Sequence, residues 1–374
     1  MREQRGEETQ GGDRFPVHPT IPHTSRSIDL SYQDSPGRGV HRTLTEAGFV
    51  YVMPAVSRGA DRTNPPYITA ATIRRLTPMS ALVAALREAF AREESVPPRQ
   101  QYQLPRSSTL LLMPAWRSGG DAGVKIVTVY PHASPSVQAT YVLISGEDGR
   151  PKAVMDGAML TARRTAAASA LAADMLARPD AATLLMLGTG TLAPHLIEAH
   201  RSVRPIRRVL LWGRDHRKAE ALAAGMNDTR IEVRAVPDRL AAIGEADIIS
   251  AATLASTPLI PGQLVRAGTH IDLVGAFRPE MCEADVACLG RARVFVDTRK
   301  GVLEEGGDVL QAIAAGVMTR EKIEAELVEL CSGRHGGRGA DESAITVFKS
   351  VGAAIEDLAA AELVFAAWGA EPEI

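Results

Sequence analysis

The chain has 374 residues, 45% of them hydrophobic, with 42 Lys and Arg against 44 Asp and Glu for a formal charge of -2. That length buries a large core and sets two domains as the starting expectation. The balanced charge argues against a nucleic-acid partner, and with no run of about 18 apolar residues free of charge no membrane helix is expected.

Residues 1–66 differ from the rest. They are rich in Arg, Gly, Pro, Ser, Thr and His, without apolar periodicity or the apolar core of a secretory signal. They are expected to form a disordered or loosely attached arm, in which only 49–53 could make a short strand. Order is expected from Ile68 onward. Residues 69–72 precede a helical pattern, and Pro78 opens a second helix through Leu82, Leu86 and Phe90. Strand-like runs follow at 109–113, 124–129 and 141–145, and Asp148-Gly149 reads as a hairpin turn into 151–155. A long Ala-rich helix spans 161–177 and is stopped by Pro179.

From there the rhythm becomes strand, helix, strand. Strands are expected at 183–187, 208–212, 231–235, 248–249, 270–274 and 294–297, with helices at 192–200 and 216–226. Such alternation argues for a parallel sheet covered by helices on both faces. The tail, 343–368, reads as helix returning to the first domain. The expected fold class is α/β: a Rossmann-type parallel-sheet domain over 181–334, and a discontinuous α+β domain over 67–180 plus 335–374.

Residues 184–193, Leu-Leu-Met-Leu-Gly-Thr-Gly-Thr-Leu-Ala, run from strand through a glycine loop into helix and fit the GxGxxG/A fingerprint of a dinucleotide site. Gly188 permits the tight turn, Gly190 lets the backbone approach a pyrophosphate, and Ala193 allows close helix–sheet packing. The helix start supplies unpaired N–H groups for phosphate. After the next strand comes Trp212-Gly213-Arg214-Asp215. Gly213 stands where NAD sites carry a ribose-binding acid, and Arg214 is placed to grip a 2′-phosphate, so the expected cofactor is NADPH, with NADH weaker. The cysteines Cys282, Cys288 and Cys331 suit neither a disulfide framework nor a metal site and read as reduced thiols of a cytoplasmic protein. No histidine spacing suggests a metal, and His195 and His200 read as packing or surface residues.

Several segments together resemble the ornithine cyclodeaminase/mu-crystallin family. They are 113–116 (MPAW), 123–131 (GVKIVTVYP), 156–167 (DGAMLTARRTAA), the GTGTLA loop, 274–279 (VGAFRP), 305–308 (EGGD) and 347–352 (VFKSVG). The likeness runs from about residue 68 to the end. It implies a homodimer, a substrate and dimerisation domain built from both chain ends, and a central NAD(P) domain. It also implies that cationic side chains hold a substrate carboxylate: Arg99, Lys125 and Arg164. Lying near that carboxylate, Lys125 is also expected to donate a hydrogen bond or relay a proton through water. The adjacent Arg163 and Arg164 point about 100° apart on a helix, so one faces the site, and Arg163 is expected at the surface or an interface. The cofactor set comprises Gly188, Thr189, Gly190, Thr191, Leu192, Ala193, Arg214, Thr253 and Gly275.

Phe277 departs from the cyclodeaminase branch, which has an aspartate there. A phenyl ring cannot act as base during ammonia loss, so ornithine cyclisation is not expected, and Glu280 and Glu283 are the nearest acids that could replace it. The segment is more like the family's bacterial reductases of Δ1-pyrroline-2-carboxylate. The expected reaction is therefore NADPH-dependent reduction of a five- or six-membered cyclic ketimine carboxylate to L-proline or L-pipecolate. The alternatives are an alanine or N-substituted amino acid dehydrogenase, and a non-catalytic protein that holds NADPH and a carboxylate ligand.

Overall fold

The computed structural model describes residues 64–92, 96–226 and 230–370. The expected arm and its strand at 49–53 lie outside them. The described chain opens with β1 (Tyr67–Ile68), α1 (Ala70–Leu76) and α2 (Met79–Ala91). The Thr69 hydroxyl accepts the Thr72 amide and starts α1. Five strands follow: β2 (Gln100–Leu104), β3 (Ser108–Trp116), β4 (Ala122–Val129), β5 (Val137–Ile144) and β6 (Pro151–Asp156). They form a six-stranded sheet ordered β1-β6-β5-β4-β3-β2, antiparallel except for the β1–β6 pair.

Alternation along these strands sorts the side chains onto two faces. Met113, Lys125 and Tyr141 stand in register and are buried. Leu112, Ile126 and Thr140 stand in register on the other face, as do Pro114, Val124 and Val142, and all six are half-buried.

The next element, α3 (Gly157–Leu176), is capped by Asp156, which accepts the Met159 amide at 2.8 Å. It starts one turn earlier than expected. Every residue from Ala162 to Ala173 is buried, because α3 packs against both the first sheet and the second. A helix buried all round belongs between layers, and its alanines let those layers come close. This corrects the expectation for Arg163, which is 1% exposed and pairs with Glu198 on α4 and with Thr77. Arg163 and Arg164 do diverge as the helical turn requires, but Arg163 diverges into another buried seam.

The second sheet is built from β7 (Thr183–Leu187), α4 (Leu192–Val203), β8 (Arg208–Trp212), α5 (His216–Gly225), β9 (Glu232–Ala235), α6 (Arg239–Glu245), β10 (Ile248–Ala251), β11 (His270–Leu273), α7 (Val286–Arg291), β12 (Arg293–Val296), α8 (Arg299–Glu305), α9 (Gly307–Ala314), β13 (Ile323–Glu326), α10 (Leu327–Cys331) and β14 (Thr346–Lys349). Its eight parallel strands run β13-β12-β14-β11-β10-β7-β8-β9. The α/β class with a Rossmann-type parallel sheet is as expected. The order reverses at β7, with β8 and β9 to one side and β10 and β11 to the other. Ligands of such sheets bind outside the carboxyl ends at that reversal.

Two differences from the sequence reading matter. Residues 346–349, expected within a terminal helix, form β14 between β11 and β12. All four residues are buried, as a central parallel strand demands, and the sheet thus takes a strand from beyond residue 334. The terminal helix is α11 (Ala354–Gly369), which packs on α2, α3 and the first sheet. Strand β2 was unforeseen because Gln100-Gln101-Tyr102-Gln103 is polar and lies at the sheet edge. Among the described residues no helix is long and apolar enough to cross a membrane.

Candidate active site

The glycine loop leaves β7 at the reversal point. Gly188 has φ +112°, and a Cβ there would lie 2.6 Å from the Ala252 carbonyl oxygen, so the turn requires glycine. Its amide donates to the Trp212 carbonyl at 2.9 Å. A Cβ on Gly190 would meet nothing within 4 Å. The space above that residue is therefore open, as close approach of a pyrophosphate requires.

A cavity of about 450 Å³ lies along the carboxyl ends of β7, β8 and β10. Of the expected cofactor residues, Gly188, Thr189, Gly190, Arg214 and Thr253 line it. Lys218 on α5 lines it too and went unnoticed in the sequence. Arg214 and Lys218 are exposed and make no ion pair among the described residues. Asp215 caps α5 instead, accepting the Arg217 amide at 3.1 Å. The edge where an NAD site carries a ribose acid thus presents two free cations. Thr191 is exposed, Ala193 is buried in the first turn of α4, and neither lines this cavity.

A second cavity, about 240 Å³, adjoins the first and shares Ala252, Thr253 and Leu254 with it. The expected residues Leu192, Thr253, Gly275 and Arg164 line it, together with Phe277 and the 350–352 loop. Behind it lies a buried ionic cluster. Lys125 Nζ donates to Asp357 Oδ2 at 2.7 Å, and Arg164 Nε donates to Asp357 Oδ1 at 2.9 Å. Arg164 Nη1 donates to Glu356 Oε2 at 2.8 Å. The remaining nitrogen, Nη2, has no partner among the described residues. Gly352 packs against this guanidinium: at φ +87°, a Cβ there would lie 2.7 Å from Nη1.

Position and charge set the proton affinities. Burial and the neighbouring Arg164 bring Lys125 down to about 8, against the pull of Asp357. Burial would raise Asp357, but Arg164 and Lys125 outweigh it and hold the carboxyl below its ordinary value. Burial raises Glu356 to about 7, with Arg164 opposing. Gly123, beside Lys125 on β4, leaves room for the Tyr141 hydroxyl, which would lie 2.2 Å from a Cβ at that position.

Arg99 approaches from the other side of the loop. Its Nη2 donates to the Val351 and Gly352 carbonyls at 2.8 and 3.0 Å, and its Nη1 lies 3.2 Å from Glu305. Asp297 Oδ2 accepts the amides of the same two residues at 2.7 and 2.6 Å. The loop is therefore clamped through both sets of backbone groups, and Arg99 reaches the second cavity through that loop.

A further clamp joins the two cavities. Glu283 Oε1 accepts from the Thr253 amide and hydroxyl at 2.6 and 2.8 Å, and Oε2 accepts the Gly275 amide at 2.7 Å. Burial raises its carboxyl, Lys349 opposing. Glu283 is thus engaged beneath the wall rather than facing the cavity, and Glu280 is exposed outside it. The sequence signalled neither the clamp nor the acids of α11, because each partner lies far away along the chain.

Fold and site together define a Rossmann-type dinucleotide-binding protein with a buried cluster of two cations and two carboxylates beside its crevice. Residues 65–371 match the ornithine cyclodeaminase/mu-crystallin family. The Delta(1)-pyrroline-2-carboxylate reductase of Paracoccus denitrificans is 40% identical over 266 residues, covering 70% of this chain and 84% of its own. The structure of the Thermococcus litoralis Delta(1)-pyrroline-2-carboxylate reductase in complex with NADH and L-proline is similar at TM-score 0.77 and 31% identity, over 83% of this chain and 100% of that one. An archaeal alanine dehydrogenase dimer with bound NAD is similar at TM-score 0.74 and 30% identity, over 81% and 95%. The chain belongs to the ornithine cyclodeaminase/mu-crystallin family.

The open space at Gly190 makes a sharp prediction. Gly190→Val meets no protein atom near its Cβ, so the variant is expected to keep the wild-type circular dichroism and melting profile. It should lose dinucleotide binding, because the isopropyl group fills the approach to the loop. Unchanged cofactor titration in the folded variant would remove the loop from the site.

Proposed function

We propose that this protein reduces Δ1-pyrroline-2-carboxylate, a five-membered cyclic imine carrying a carboxylate, to L-proline, with NADPH preferred over NADH. The six-membered homologue, giving L-pipecolate, falls under the same reading. The observation that carries it is Arg164, whose free Nη2 borders a small cavity that shares Thr253 and Leu254 with the dinucleotide crevice. The reductase relatives support the substrate. Bound cofactor supplies a hydride for the imine carbon.

The protein's own groups supply position and charge. Arg164 anchors the carboxylate and so fixes which ring atom faces the crevice. Lys125, held by Asp357, adds a second positive charge, and its lowered proton affinity suits it to pass a proton near neutral pH. Arg99 holds the 351–352 loop against the cavity. Gly188, Thr189, Gly190, Thr191, Leu192 and Ala193 form the pyrophosphate turn, and Thr253 and Gly275 form the wall at the reactive end. Phe277, 38% exposed, lines the substrate cavity with an apolar ring and supplies no base for deamination.

Arg164→Lys tests the anchor while keeping the buried charge. It should lower kcat/KM for Δ1-pyrroline-2-carboxylate by about a hundredfold, because an ammonium lacks the planar fork. Activity on 1-pyrroline, which has no carboxylate, should hardly change. Equal losses on both substrates would count against anchoring, and binding of the imine without NADPH oxidation would favour a non-catalytic ligand carrier.

The NADPH preference rests on Arg214 with Lys218. Arg214→Ala should weaken NADPH by roughly tenfold to a hundredfold and leave NADH nearly unchanged, since NADPH alone carries the 2′-phosphate. Parallel losses in the two titrations would refute that assignment.

We further infer a homodimer through the half-buried apolar face of the first sheet. Leu112, Pro114, Val124, Ile126 and Val142 lie there, opposite the face that meets α11, and Trp116 at the end of β3 is 49% exposed. The archaeal dimer supports this. Light scattering should give twice the chain mass for the wild type and a monomer for Ile126→Lys; a monomeric wild type would end the proposal.

A further inference from the structure

We propose that Glu356 takes up a proton when the carboxylate of the substrate settles beside Arg164, so that anion binding and proton uptake are one event. This rests on the reading that the smaller cavity takes a carboxylate. Lys125 on β4 and Arg164 on α3 face Glu356 and Asp357 on α11, two cations against two carboxylates, all nearly or fully buried. A third carboxylate arriving at Arg164 leaves one negative charge uncompensated against these buried groups. Such a charge is costly, and the usual resolution is protonation of one member.

Three buried acids compete for that proton. Asp357 accepts from both cations, at 2.7 and 2.9 Å, and is the most firmly ionised. Asp297, behind the 351–352 loop, accepts three backbone amides, those of Thr298, Val351 and Gly352. Its nearby cation is Arg99, which Glu305 shares. Glu356 has the weakest hold: one bond from Arg164 and one from the Ala353 amide at 3.1 Å. It also faces two negative neighbours, Asp357 and Asp297. When protonated it keeps lone pairs on both oxygens, so the bonds to Arg164 and Ala353 survive. In the free protein burial already raises it to about 7, and a substrate anion raises it further.

The sign follows. A group whose proton affinity rises on binding makes binding tighter at low pH, and the advantage fades as pH climbs above its free value. The probe is pyrrole-2-carboxylate, a flat five-membered ring with the same carboxylate, titrated calorimetrically into the full chain with NADP+ in buffers of differing ionisation heat. At pH 7 the wild type should take up about half a proton per ligand, and the apparent Kd should rise by up to about tenfold per pH unit above 7. Glu356→Gln should bind with far less uptake at pH 7 and a flatter profile, the remaining slope coming from Lys125. Binding by the wild type without proton uptake, or unchanged uptake in the Gln variant, overturns the proposal. Failure of the wild type to bind the probe overturns the carboxylate reading and this inference with it. Should the Gln variant not fold, infrared difference spectra of the wild type and Asp297→Asn decide. A protonated-carboxyl band that appears with ligand in both supports Glu356, and its absence from either overturns the assignment.

Discussion

One carboxylate, that of Asp357, is shared by two cations from two distant parts of the chain. Lys125 comes from the middle of an antiparallel strand and Arg164 from a helix between the two sheets, and each gives one bond to a different oxygen of Asp357. Isolated, any of the three charges would be expelled from such a site or neutralised. Together they are tolerated because Lys125 Nζ, both Asp357 oxygens and two of the three Arg164 nitrogens are paired, and loss of one leaves another buried and unpaired, at a cost of about 3–5 kcal/mol. The rest of the site depends on this arrangement. It fixes the guanidinium so that one edge is held by protein and the other borders the cavity.

The same constraint explains why α3 is so rich in alanine. A helix that presents Arg164 to one seam and Arg163 to another must be buried on both, and layers can close over it only where its other side chains are small. Ala166, Ala167, Ala170 and Ala173 are 0% exposed, which lets the second sheet come within reach. The reversal of strand order at β7 then places the dinucleotide crevice directly beside the ionic cluster. Glu283 ties the two together by gripping the ends of β10 and β11, the strands over which the two cavities meet.

Much of this was legible from the chain, for physical reasons. The strands Thr183–Leu187 and Arg208–Trp212 were placed to the residue, because apolar runs bounded by glycine or by helix caps leave little freedom. The glycine loop was legible because a tight turn and an open backbone admit few residues. Strand β14 reads as helix in the sequence because Ala-rich helix follows within a few residues, and only its pairing partners, about 50 and 75 positions earlier, make it a strand. Glu356 and Asp357 carried no signal. Acids in the first turn of a helix ordinarily favour its dipole and face solvent, and nothing local announces that Arg164 and Lys125 will be their partners.

The position of β14 has a consequence for synthesis. It is the link through which β12 and β13 join the remaining strands, since among the described residues β12 pairs only with β13 and β14. While the chain is being made, β7 to β11 emerge first and can associate, but β12 and β13 have no seat beside them until residues 346–349 have left the ribosome. The acids that neutralise Lys125 and Arg164 follow only a few residues later. Completion of the nucleotide-binding sheet and neutralisation of the buried cations are therefore late, nearly simultaneous events, and a nascent chain stalled before that point carries an open sheet edge and two uncompensated charges, the state most in need of a chaperone's protection.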